Sequence, residues 1–132
     1  MAKLTTIRVD AEKEVKGVWT KWEHGVELLI ARLNNPLFQL KVRELTVSHT
    51  KEIRLGTFDG MEEVSRVAVA STVLLGWKSI EDDDGKEFKY SAEHSLELLS
   101  DPGLQDLYQF VLTQSNERDQ YLVALEKDSR GN

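Results

Sequence analysis

The most constraining stretch of this chain is residues 61–75. There Met61, Val64, Val67, Ala68, Ser71, Val73, Leu74 and Leu75 are spread over far more than one helical stripe. A helix apolar on so much of its circumference has no face to give to water, so the rest of the chain must pack around it as the centre of the core. Asp59 and Glu62 precede it in a D-x-x-E pattern, in which two side chains satisfy free amides reciprocally at a helix start.

The flanking segments have sharper punctuation. Leu4 to Val9 is rich in Thr, Ile and Val and alternates loosely, as a strand does. From Gly17 to Leu33 two periodicities compete, a helical stripe and the alternation of two strands folded about His24-Gly25. Gly25 decides for the hairpin, because glycine costs a helix interior about 1 kcal/mol relative to alanine, whereas a tight turn needs positive φ. Trp22, Val26, Leu28 and Ile30 then share the inner face, and Lys21, Glu23 and Glu27 the wet one. Asn35-Pro36 starts a helix expected to run to about Arg54, with Asn35 as cap and Phe38, Val42, Leu45, His49 and Ile53 facing inward and Gly56 as its stop. Residues 80–88 read as an acidic turn between two short extended pieces. Ser91 caps a helix from Ala92 to Leu99, and Ser100 or Asp101 with Pro102 opens the last helix, which the polar stretch from Thr113 to Gln120 interrupts.

With 132 residues and neither a repeat nor a linker, the expectation is one domain: a strand and hairpin region over 1–33, a helical body over 35–126 and a flexible tail over 127–132. The fold class is α+β, a mainly helical body with an N-terminal β-hairpin or small sheet. The net charge of -6 is the wrong sign for binding nucleic acid through its phosphates. That charge is uneven: residues 1–55 carry 10 Lys and Arg against 7 Asp and Glu, residues 56–132 carry 7 against 16. Such a charge dipole steers copies head to tail or draws a basic partner to the rear half, unless it reflects solvated helix faces alone. The absence of cysteine excludes disulfides, thiolate catalysis and cysteine-ligated zinc, and fits a reducing compartment. Neither a membrane-spanning run nor a signal-peptide core is evident, so a soluble intracellular protein is expected.

The residues that carry chemistry elsewhere are poorly arranged here. Aligning Asp82-Asp83-Asp84-Gly85 on a calcium loop puts Ile80 at the first position and Ser91 at the twelfth, so the first ligand and the bidentate Glu are missing. A solvated turn accounts for the same residues. His24, His49 and His94 are not at helical metal-ligand spacing; His94 is expected on the surface. Neither a nucleophile elbow nor a phosphate-cradling glycine loop is found, and the expectation is a protein that is not an enzyme and holds no metal or cofactor. The aromatic residues say more. Trp19 and Trp22 straddle the two faces of the hairpin, so one of them is exposed unless another element covers it, and exposed indoles mark contact surfaces. Trp77 reads as core, and Tyr108 and Tyr121 as packed rings with hydroxyls at the rim. The candidate interaction residues are Trp19, Trp22, Asp82, Asp83 and Asp84.

One ordered set of features resembles a known family. Gly17-Val18-Trp19, then Ile30-Ala31-Arg32-Leu33-Asn34-Asn35-Pro36-Leu37-Phe38, then Leu74-Leu75-Gly76-Trp77, Asp84-Gly85, Tyr90-Ser91-Ala92-Glu93 and Leu98-Leu99 resemble tail assembly chaperones of long-tailed bacteriophages. Asp101-Pro102, Leu107, Phe110-Val111 and Tyr121 extend the likeness, which covers residues 15–125. The resemblance implies a non-enzymatic protein of the infected host's cytoplasm that coats the tape-measure protein, keeps it soluble, helps recruit the tail tube protein and is absent from the virion. It implies self-association into oligomers or spirals, and often a longer frameshifted product, with Ser129 to Asn132 as the junction. The alternatives are a tail completion or head-tail connector protein, and, on the Asp cluster and three His, a small metal-dependent enzyme.

Overall fold

The structure is a computed structural model that describes residues 1–48, 50 and 58–123, the first two residues of the last span by their backbone alone. It is α+β and mainly helical, with one three-stranded antiparallel sheet. Helices α1 (Leu4–Ile7) and α2 (Ala11–Lys16) lead into strands β1 (Val18–Lys21) and β2 (Glu27–Ile30); α3 (Pro36–Ser48) and α4 (Phe58–Thr72) follow, then β3 (Leu74–Lys78), α5 (Ala92–Ser100) and α6 (Gln105–Ser115).

The hairpin forms as its glycine requires. Val18 pairs with Ile30 and Lys21 with Glu27, and the turn between them holds His24 at φ 57° and Gly25 at φ 77°. Val26, Leu28 and Ile30 are buried on one face, and Lys21 and Glu23 stay exposed.

The central helix is shorter than its apolar run. The chain leaves α4 at Thr72, and Leu74 and Leu75, expected to be helical, join Gly76 and Trp77 in β3 on the open edge of β2. Two local causes converge. The Thr72 carbonyl, left without a helical partner, accepts a hydrogen bond from Asn35 Nδ2 at 3.1 Å, and the Val73 carbonyl accepts from the Ala31 amide at 2.8 Å. Gly76, costly in a helix, lies opposite Leu29 in the ladder. The step from Leu29↔Gly76 to Ile30↔Leu74 leaves Leu75 as an extra residue on β3, a bulge.

Asn35 fixes both helices around this point. Its Oδ1 accepts from the amides of Leu37 and Phe38 at 2.9 and 3.0 Å, which caps α3, while its Nδ2 donates to Arg32 O and Thr72 O. The expected cap is therefore also a tie between helices, and Asn35 is only 3% exposed.

The core lies between the inner face of the sheet and helices α4, α5 and α6, with Val69, Val73, Leu74, Leu99, Leu107 and Val111 nearly inaccessible to solvent. Trp77 belongs to it; its indole donates to Phe88 O at 2.6 Å and its ring stacks on Phe88 and meets Tyr90 edge-on. His94, expected on the surface, is half-buried with its ring stacked on Phe88 at 4.3 Å. Ser91 caps α5 through the His94 amide, and Asp101 caps a 3-10 turn, Pro102–Leu104, that precedes α6. α6 stops at Ser115, within the polar interruption.

The expected N-terminal strand is not formed. Leu4–Ile7 is a single exposed helical turn, and only Val9 makes a bridge, to Leu122. Strand propensity describes a residue that fits a half-buried pleat, and no sheet edge reaches this segment. Tyr121 also differs from expectation: it is buried and its hydroxyl donates to Ile30 O at 3.1 Å, so burial raises its pKa well above 10.0. His49, Ile53 and Gly56, the end of the helix expected to reach Arg54, and the tail over 127–132 lie outside the described residues. Asp59 is a helical residue within α4 rather than its cap.

Candidate partner-binding surface

The turn after β3 is built by its first aspartate. Asp82 Oδ1 accepts from the amides of Asp84 and Lys86, both at 2.9 Å, and Gly85 supplies the positive φ of 80°. Asp82 N and Lys86 O close the turn at 2.7 Å, and Glu81 bridges to Glu87. Asp82 thus shapes the turn, while Asp83 and Asp84 project from it into solvent. Among the described residues no three His, Cys, Asp or Glu side chains converge where they would hold a metal ion.

This turn stands beside an elongated apolar groove. Two adjoining depressions of about 260 and 420 Å³ share Ile80, Glu81, Leu98 and Leu104. The first continues to Trp22, His24 and Val26 at the hairpin turn, the second to Phe88, Asp82 and Asp83. The floor is aliphatic and aromatic because α5 turns Leu98 and the 3-10 turn turns Leu104 toward the gap between the hairpin and the residue 80–88 turn. The edge is anionic: Glu81, Asp83 and Glu97 are exposed carboxylates along it. An apolar floor with a one-signed rim suits an amphipathic segment whose apolar stripe is flanked by cations.

The five residues singled out from the sequence divide across the sheet. Trp22, half-buried and tilted against Phe110 at 6.4 Å, lies at one end of the groove; Asp82 and Asp83 lie at the other and Asp84 at the turn tip. Trp19 is on the opposite face, 44% exposed, with Lys78 Nζ 4.0 Å above its ring. The groove's Ile80, Glu97, Leu98 and Leu104 escaped sequence reasoning because they come from three elements with no shared spacing.

A second surface was legible but overlooked. Helix α3 turns Phe38, Val42 and Leu45 inward as its periodicity requires, yet none is fully buried, and its other side exposes Leu37, Leu40 and Val47 at 49%, 56% and 73%. These follow the three- and four-residue steps 37, 40, 44, 47, a stripe interrupted only by Glu44. At 100° per residue Arg43 and Lys41 flank it on either side. No helix among the described residues is long and apolar enough to cross a membrane.

Neither a curated protein nor a solved structure matches the chain. Residues 23–132, from the hairpin turn onward, match the family described as YdaY prophage protein. That match covers the sheet's β2 and β3, α3 and all of the groove except Trp22, and with it the chain belongs to the YdaY prophage protein family and is phage-derived.

Proposed function

We propose that this protein is a tail assembly chaperone that binds and solubilises the tape-measure protein of its prophage. Its phage derivation and the ordered resemblance to such chaperones support the reading. The structural observation that carries it is the groove between the hairpin turn, the residue 80–88 turn and α5, apolar along its floor and acidic along its rim. A tape-measure protein is long and helical, and before a tube encloses it its apolar stripes face water. The groove accepts one such stripe, its cationic flanks meeting Glu81, Asp83 and Glu97. Binding by a shallow, half-open groove is weak per copy, so many copies coat one partner and yield to the tail tube protein as it polymerises. The chaperone acts in the host cytoplasm, is not an enzyme and is not retained in the particle.

The test is co-expression with the prophage's tape-measure protein, followed by solubility measurement and pull-down through a tag on either chain. Capture of a soluble complex, weakened by Asp83→Lys with Glu97→Lys, is the expected result. A tape-measure protein that stays insoluble and uncaptured overturns the reading. Stoichiometric amounts of the protein in purified particles would instead mark it as a completion or connector subunit.

A further inference from the structure

We propose that the free edge of β1 takes up an extended segment of another protein as a fourth strand, one that alternates carboxylate with apolar side chains. The ladder fixes which backbone groups face outward. Trp22 N donates to Val26 O at 2.8 Å, and the alternation from that pair turns the amides and carbonyls of Thr20 and Val18 toward β2 and those of Trp19 and Lys21 away from it. No described residue hydrogen-bonds these outward amides and carbonyls. A helical partner has its own backbone groups already paired, whereas an extended strand matches the spacing of this row. The two edges of the sheet differ in how they are guarded. β3 carries the Leu75 bulge, its Trp77 is buried, and Tyr90 Oη donates to Leu74 O at 2.7 Å. β1 has neither proline nor bulge, and Trp19 does not shield it, because the indole lies back across the sheet against Gly76 and beneath Lys78 Nζ.

Charge selects the occupant. On the outer face Lys21 lies opposite Glu27, and Glu27 opposite Lys78. Lys78 is engaged with the Trp19 ring, but Lys21, exposed at the rim, has neither an ion pair nor a ring contact among the described residues. A side chain of the incoming strand directly across from Lys21 stands about 5 Å away between Cβ atoms, so a carboxylate there is attracted and a cation repelled. A second β1 is a poor occupant for the same reason, since it brings another Lys21 and no carboxylate of its own to the joint. Lys21 thereby rejects like edges and admits acidic ones. Val18 and Thr20 point to the other face and are half-buried, so the residues alternating with the acids lie beside them and suit apolar, β-branched side chains. None of Val18 to Lys21 lines the groove, and the inference does not depend on the tape-measure reading.

The experiment follows amide hydrogen exchange by NMR on the full, isotope-labelled chain. The probe is an acetylated and amidated heptapeptide that alternates valine with glutamate, and its control carries lysine in place of glutamate. With the glutamate peptide at millimolar concentration the Trp19 and Lys21 amides should exchange about tenfold more slowly, while the Thr20 amide, already bonded to β2, should change little. The lysine peptide should leave all three unchanged. Lys21→Gln, which removes the charge and keeps the amide, should weaken binding several-fold. Lys21→Pro, which also deletes an outward amide without touching the ladder to β2, should abolish the slowing at Trp19, with thermal melts to show that both variants fold. Unchanged exchange at Trp19 and Lys21, or equal slowing by both peptides, overturns the inference. Protection of those amides that grows with the concentration of the chain alone assigns the edge to a second copy and overturns it too. None of these samples contains the tape-measure protein, so failure here and failure of the chaperone reading are separate.

Discussion

Helices α3 and α4 are neighbours in sequence and pack along one another, yet they use their apolar residues differently. α4 lies between α3 and α5 and runs directly into the sheet, and Val64, Ala68, Val69 and Ala70 are at most 1% exposed. Among the described residues α3 packs mainly against α4, buries no residue fully and leaves Leu37, Leu40 and Val47 to solvent. Position in the layering, more than hydrophobicity, sets the worth of each aliphatic side chain: on α4 and β3 it holds the fold, on α3 it is available for association.

Substitutions should widen that contrast in a definite order. Leu74→Ala, which empties a fully buried site at the joint of α4 and β3, should cost about 3 kcal/mol in a urea melt. A loss below about 1 kcal/mol would mean that the joint collapses around the gap. Asn35→Ala removes the cap of α3 and leaves the buried Thr72 carbonyl without its donor; about 2 kcal/mol is expected. Asn35→Asp, which keeps the cap but sets a buried carboxylate oxygen against the Arg32 and Thr72 carbonyls, should cost at least as much.

Tyr121→Phe should cost about 1 kcal/mol, for the hydrogen bond to Ile30 O. It also has a pH signature. Burial raises the pKa of this phenol in the folded state, so the unfolded chain ionises first as pH rises above 10.0 and stability falls from there upward. Phenylalanine should flatten that slope; an unchanged alkaline melt would show that Tyr90 and Tyr108, also raised by burial, control it. The smallest effects belong to α3 and the turn tip: Leu40→Ala and Asp84→Lys should each stay within about 0.5 kcal/mol of wild type. Charge reversal at Asp82 should cost more than at Asp84, because only Asp82 accepts the turn's amides.

Much of this fold is written locally. His24-Gly25, Asn35-Pro36, Ser91 and Asp101-Pro102 mark turns and caps that the structure contains, since each satisfies its backbone within a few residues. Leu4 to Val9 and Leu74-Leu75 depart from their local pattern because strand formation depends on a remote strand edge, which β2 supplies for the second and which the first does not pair with. At the candidate site Trp22 and the Asp turn were visible as an exposed-aromatic question and an acid-rich loop. Their meeting around Leu98 and Leu104 was not, because the groove joins residues more than sixty positions apart.

The sequence by itself determined the α+β class, the hairpin, the capped helices and the two-signed charge, all consequences of composition and short-range backbone chemistry. Tertiary structure alone decided where the long apolar run stops being helix, which tryptophan faces the groove and which side of α3 stays wet. Those depend on which surfaces the folded chain places side by side, and burial is a property of the neighbour as much as of the residue.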